Sequence, residues 1–253
     1  MIVLFTDFGL GGPYLGQVRN VLHQGAPGTP VIDLFVNAPA YGPKPAAYLL
    51  AAYNGEFPPG TVFFAVVDPG VGGDRSPGVL EADGRWYVGP DNGLFEIVIR
   101  RAKARPRWWD IVWRPERLTA TFHGRDLFAP IAARLACGET PDKDLRQGGA
   151  DFRETPPDDI RRPEWPDDLA EIIYIDDFGN AMTGLRASVA TGAGGIAVGG
   201  RSIPRAETFS DVPEGAPLCY ENSNGLLEIA VNRGRADRLA EISLGCQVEF
   251  SKK

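Results

Sequence analysis

The chain is poor in the residues that build metal centres and cross-links. It holds two histidines, His23 and His123, and three cysteines, Cys137, Cys219 and Cys246, in 253 residues. Two histidines cannot supply a His-rich zinc site. Cysteines that are odd in number, widely spaced and without a close CxxC pair argue against a disulfide framework, so a reducing, cytoplasmic setting with no metal is expected. No apolar run approaches the length of a membrane span, and the apolar opening of residues 1–5 is broken at Asp7, too soon for a signal peptide. Basic residues are in deficit as well: 26 Lys and Arg face 33 Asp and Glu, for a net charge of −7. That removes most of the case for nucleic-acid binding, which needs a basic face, and leaves room for a small cationic ligand.

What is present is an ordinary globular composition, 43% apolar and 23% charged, long enough for one large domain or a large and a small one. The first two thirds alternate short apolar runs with helix patterns. Residues 2–6 read as a strand, followed by a Gly-rich turn and a helix starting at Pro13. Residues 31–34 and 61–67 read as further strands, with a crossover helix over 45–53 between them. Residues 78–82 and 85–89 flank Asp83-Gly84 as a hairpin, and 126–136 as an amphipathic helix. The expected fold class is α/β, a mainly parallel sheet flanked by helices, with a smaller C-terminal all-β barrel. Proline and charge crowd residues 151–168, which sets the expected domains at 1–155 and 169–253 with a linker over 156–168. Beyond it, short β-type runs at 170–175, 195–198, 217–220, 226–231 and 247–251 are separated by Gly, Asn and Asp.

In open α/β sheets ligands bind beyond the carboxyl ends of the strands. Three segments qualify there: Phe5-Thr6-Asp7-Phe8-Gly9, the loop from Val67-Asp68-Pro69-Gly70 to Arg75, and Thr121-Phe122-His123-Gly124-Arg125-Asp126. Their glycines match neither the dinucleotide fingerprint nor the phosphate loop. Asp7 suits a ribose diol or a helix cap; Asp68 and His123 suit chemistry or a turn and a structural histidine. Asp176-Asp177-Phe178-Gly179-Asn180 and Asn222-Ser223-Asn224-Gly225 read equally as connections or as purine and polar contacts.

Together with Gly89-Pro90-Asp91-Asn92-Gly93-Leu94, these segments resemble the S-adenosylmethionine hydroxide adenosyltransferases, or S-adenosylmethionine hydrolases, a family related to enzymes that fluorinate or chlorinate the same substrate. The motifs occur in the family's order over nearly the whole chain. The resemblance implies a homotrimer with active sites between one subunit's N-terminal domain and its neighbour's C-terminal domain, and no cofactor. It implies a catalytic set of Asp68, Arg75 and His123, and Asp7 on the ribose beside Phe8 and Tyr41. Phe178 and Asn180 would face the adenine, with backbone near Val231 and Arg233 on its edge, and Ser223 the methionine carboxylate; Asp177 is a further substrate-binding candidate. Three positions depart from the pattern. Gly12 stands where many relatives have an aspartate, so Glu228 is taken as the partner of the substrate ammonium; Phe35-Val36 replaces a Thr-His pair.

The implied reaction is attack of water or hydroxide on the ribose C5′, giving adenosine and L-methionine. Arg75 would lower the pKa of the water, Asp68 would orient Arg75 and accept from the water, and His123 would be a polar anchor or proton acceptor. Halide attack giving a 5′-halogenated adenosine is the rival. A non-catalytic binder of adenosine or S-adenosylmethionine is the other; it has no need of Asp68, Arg75 and His123 together.

Overall fold

The computed structural model describes residues 1–251, which divide into two compact units, 1–162 and 163 onward. The first is built on β1 (Ile2–Thr6), α1 (Tyr14–Gly25), β2 (Val31–Phe35), α2 (Pro43–Tyr53), β3 (Val62–Val66), the hairpin β4 (Pro77–Ala82) and β5 (Arg85–Pro90), α3 (Glu96–Arg101), β6 (Arg107–Ile111), α4 (Ala129–Ala136), α5 (Pro141–Arg146) and β7 (Phe152–Thr155). The strand order is β2-β1-β3-β5-β4-β6-β7. Pairing is parallel from β2 to β5 and antiparallel from β5 to β7, so β2, β1, β3, β5 and β6 all run one way and only β4 and β7 oppose them.

Every residue of β1 and β3 is buried, as expected of strands covered on both faces. Ile2, Leu4, Val62 and Phe64 pack with Leu15, Val18 and Leu22 of α1 and Ile131 and Leu135 of α4. The opposite face carries aromatics: Phe63 stacks on Tyr87 at 4.9 Å, and Phe35 lies edge-on to Phe5 and to Tyr53 of α2. The Asp83-Gly84 hairpin is as read, with φ of 49° and 75° at its two central residues.

The 126–136 pattern is divided: Gly124–Phe128 is a π-helical turn and the α-helix begins at Ala129. The proline-rich stretch is more ordered than a linker. Phe152–Thr155 adds the last strand, and Asp110 of β6 holds it by accepting from Arg153, Thr155 and Trp108. Arg161 and the Arg162 N–H then bond Glu96, so the chain stays tied to the first unit up to residue 162.

The second unit contains β8 (Leu169–Ile175), β9 (Ala181–Arg186), β10 (Gly195–Val198), β11 (Arg201–Pro204), β12 (Pro217–Glu221), β13 (Leu226–Val231) and β14 (Val248–Ser251). They form antiparallel sheets β12-β13-β9-β8 and β11-β10-β14. Single bridges, Glu171 to Gln247 and Arg205 to Cys219, join the two sheets at both edges and close them into a small barrel. Its core includes Ile172, Leu185, Ile196, Ile203, Leu227 and Ile229. Among the described residues no helix is long and apolar enough to cross a membrane.

Candidate active site

Parallel pairing of β1 and β3 brings Thr6 level with Val66, so Asp7 and Asp68 emerge at the same edge of the sheet. A cavity of about 410 Å³ opens there, lined by Asp7, Phe8, Tyr41, Asp68, His123 and neighbouring apolar residues. Two local features hold its far wall. The Asn92 amide donates to the Val67 carbonyl at 2.8 Å, bracing the residue before Asp68. Gly72, at φ +80°, sits where a Cβ would meet the Ala120 carbonyl at 2.5 Å, so only glycine lets the 68–75 loop close onto the segment carrying His123.

Arg75 organises this wall without lining the cavity. Its Nε lies 3.1 and 3.0 Å from the two Asp68 carboxylate oxygens, and its Nη2 lies 2.9 Å from His123 Nδ1. The side chains of Arg75 and Asp68 are only 10% and 5% exposed. A guanidinium has donors only, so His123 Nδ1 must accept and a neutral imidazole carries its proton on Nε2. Burial, reinforced by the Arg75 charge, pushes the His123 pKa below its ordinary value. Asp126 anchors the His123 loop by accepting from the Thr119 N–H and hydroxyl and from Arg125. Burial raises its pKa, but these bonds outweigh that and hold it down at about 2.

On the opposite wall, Asp7 Oδ2 accepts the Tyr41 N–H at 3.2 Å, with Tyr41 at φ 58°. Burial raises the Asp7 pKa, the Tyr41 N–H counters it, and the Asp68 charge adds to the rise. Phe8, Phe122 and Tyr14 form an edge-on cluster, Phe8 to Phe122 at 5.8 Å and Tyr14 to Phe122 at 5.2 Å. Tyr14 carries no mark in the sequence beyond its place in the first turn after Pro13. Gly124 is explained by this cluster, since a Cβ there would come within 3.0 Å of the Phe8 ring. Phe35-Val36 also gains a structural account: Phe35 packs on Phe5 and Tyr53, and the Val36 carbonyl accepts the Gly9 N–H at 2.6 Å. A side chain at Gly12 would meet the Tyr14 ring at 3.2 Å.

The remaining candidates lie in the second unit. Phe178 is 77% exposed at the tip of the β8–β9 connection, beside Asp177, whose carbonyl accepts from Arg235. Asn180 donates its N–H and its side-chain amide to Asp176 at 2.8 and 3.2 Å. Ser223 is exposed in the β12–β13 turn, its hydroxyl donating to the Asn224 side chain. Val231 ends β13, its carbonyl accepting the Gly234 N–H, and Arg233 follows at φ 53° with its side chain paired to Glu214. Glu228 differs from the charge-based expectation: it is 3% exposed, and both its oxygens already accept, from the Tyr220 hydroxyl and the Asn222 amide. Among the described residues no three His, Cys, Asp or Glu side chains converge as a metal-holding group.

The profile described as SAM hydroxide adenosyltransferase N-terminal domain matches residues 2–144, and that of the C-terminal domain matches residues 170–249. The chain belongs to the SAM hydroxide adenosyltransferase family. A relative from Thermus thermophilus named (R)-S-adenosyl-L-methionine hydrolase is 43% identical, covering 98% of each chain. One of the same name from Salinispora arenicola is 36% identical over 97% of this chain and 95% of its own. Among solved structures, an uncharacterized conserved protein from Thermotoga maritima superposes with a TM-score of 0.84 at 28% identity, covering 100% of both chains. A conserved hypothetical protein from Thermus thermophilus superposes with a TM-score of 0.75 at 37% identity, covering 98% of both.

Proposed function

We propose that this adenosyltransferase-family protein hydrolyses S-adenosyl-L-methionine, in the (R)-sulfonium form for which its relatives are named, to adenosine and L-methionine. The observation that carries the reading is the Asp68–Arg75–His123 cluster on the wall of a cavity whose other wall presents Asp7. Two carboxylates, one guanidinium and a neutral imidazole sum to −1, a field that suits a sulfonium cation and opposes a halide. Asp7 holds the ribose hydroxyls. Water on the Asp68 side attacks C5′ in line with the C–S bond; the C5′–O bond forms, the C5′–S bond breaks with its electron pair returning to sulfur, and one proton passes from the water to the Asp68 carboxylate and on to solvent.

The sulfonium departs as a neutral thioether and needs no acid. Catalysis is therefore positioning, which contributes ~7–11 kcal/mol in well-oriented cases, plus proton acceptance, which adds ~10²–10⁴-fold. With Nδ1 accepting from Arg75, His123 presents a donor and serves as an anchor for the water oxygen, while Asp68 accepts from the water. Arg75 acts through both, holding their geometry and supplying positive charge behind them. The first unit carries the ribose and catalytic groups, and the second supplies Phe178 and Asn180 for the adenine and Ser223 for the methionine carboxylate. The protein works as a cytoplasmic homotrimer without a cofactor.

Protonation of His123 sets an Nδ1–H against the Arg75 guanidinium. The rate is expected to hold from neutral pH upward and to fall on acidification below the ordinary histidine range, in step with the lowered pKa. His123→Ala should lose this acid limb while retaining measurable activity; an unchanged limb removes His123 from the site. Product analysis in chloride-containing and chloride-free buffer tests the reaction class. Adenosine is expected in both, and a chlorinated nucleoside as main product would replace hydrolysis with halide attack.

A further inference from the structure

His123 sits in a loop that folds back on itself before the chain enters the π-helical turn of residues 124–128. The Phe122 N–H donates to the Thr119 carbonyl and the Asp126 N–H to the Phe122 carbonyl. The Asp126 carboxylate accepts from both the N–H and the hydroxyl of Thr119. Residues 119–126 therefore form a closed unit with His123 inside it, and its place relative to the sheet depends on contacts made outside it. Gly72 approaches it from the 68–75 loop, at Ala120. Arg125 fastens it to α1.

The Arg125 Nε and Nη2 donate to the two Asp126 oxygens at 2.6 and 3.0 Å, and its Nη1 donates to Gln17 Oε1 at 2.7 Å. The Arg125 and Asp126 side chains are only 18% and 7% exposed. The same guanidinium lies 5.1 Å from the centroid of the Phe122 ring, which Tyr14 meets edge-on. Tyr14 and Gln17 are three apart on α1 and so share a face. The helix thus grips the loop at two points, Tyr14 on Phe122 and Gln17 on Arg125. It also follows directly on the turn that carries Asp7. Arg125 therefore joins the element behind one wall of the active cavity to the loop that forms the other. It does not line that cavity, and lines instead a separate groove with Gln17, Asn20 and Arg117.

We propose that Arg125 is a positioning residue for the reaction: it touches no substrate, and by clamping Asp126 to Gln17 it sets the His123 anchor at its working distance from the Asp7 wall. The planar guanidinium suits this task, because two of its nitrogens hold the carboxylate while the third reaches α1. This rests on the reading of His123 as the anchor for the attacking water.

The test is a double-mutant cycle read on steady-state hydrolysis of S-adenosyl-L-methionine by the full-length protein. Arg125→Gln cannot span both partners and should lower kcat about tenfold with KM changed less than about threefold, since a small misplacement of a reacting group is costly. In a His123→Ala background the same change should cost less than about twofold, because the group that Arg125 positions is gone. Gln17→Ala leaves the Arg125–Asp126 pair intact and removes only its hold on α1. It should lower kcat about threefold, and it carries the test if Arg125→Gln fails to fold. An equal loss in both backgrounds, a loss confined to KM, or wild-type kcat in both single variants overturns the positioning role. Wild-type protein that releases no adenosine, or His123→Ala at the wild-type rate, overturns the anchor reading itself, and this role with it.

Discussion

Asp68→Ala is expected to lower kcat/KM for S-adenosyl-L-methionine by about 10³-fold or more, with KM changed far less than kcat. Three effects act together. The acceptor for the attacking water is removed, which alone accounts for a factor of ~10²–10⁴. The Arg75 guanidinium, 10% exposed, loses both carboxylate bonds. Freed from Asp68, it turns toward His123 and the anchor moves with it. Breaking a buried pair from one side also costs roughly 3–5 kcal/mol of stability, so activity is to be compared at a temperature where far-ultraviolet dichroism shows the variant folded. Asp68→Asn separates the contributions: it keeps the shape and one acceptor oxygen, and should fall between wild type and alanine. A folded Asp68→Ala variant within tenfold of wild type would remove Asp68 from the mechanism.

Glu96→Gln should produce the largest loss of stability, about 3–5 kcal/mol. The Glu96 side chain is fully buried and accepts from Arg100, Arg161 and the Arg162 N–H, closing the end of the first unit onto α3. Burial raises its pKa, but the bonds from Arg161, Arg162 and Arg100 outweigh it, so the folded value lies below the ordinary 4.5. The sign follows: the folded state binds this proton more weakly than the unfolded state, so the stabilisation is complete above the ordinary glutamate range and lost as pH falls through the folded value. Thermal unfolding of Glu96→Gln should show a midpoint roughly 6–20 °C lower near neutral pH, with the difference from wild type narrowing in acid. A shift of only a degree or two would mean the arginines find other partners.

The parallel half of the sheet was legible because its strands are continuous apolar runs; β1 occupies the residues read for it, and α2 begins two residues earlier than read because Pro43 suits a first turn. β6, β7 and β9 were not legible. The Trp pair of β6 is flanked by charge, and its strand depends on Asp110 bonding three side chains across two strands. β9 is interrupted by Gly184, where a Cβ would meet Leu169 at 2.6 Å, a close approach that no local pattern announces.

The candidate site divides the same way. Polar residues directly after buried strands pointed to Asp7 and Asp68, since topology alone puts them at one edge. Tyr14 carries no such mark, and Asn92 and Asn222 lay in motif segments without an assigned role, because the parts they play are ring contacts and hydrogen bonds made after the chain has folded. Glu228 shows the limit of reading charge: a carboxylate within a run of apolar residues suggested a cation partner, and the structure instead provides Tyr220 and Asn222.

The central claim is that the Asp68–Arg75–His123 wall directs water to the ribose C5′. Incubating purified protein with (R)-S-adenosyl-L-methionine and quantifying products by chromatography tests it most directly, with Asp68→Ala alongside. Adenosine and methionine in equal amounts from wild type, and almost none from the variant, is the predicted result. Intact substrate with wild-type protein, or cleavage to methylthioadenosine, would contradict it.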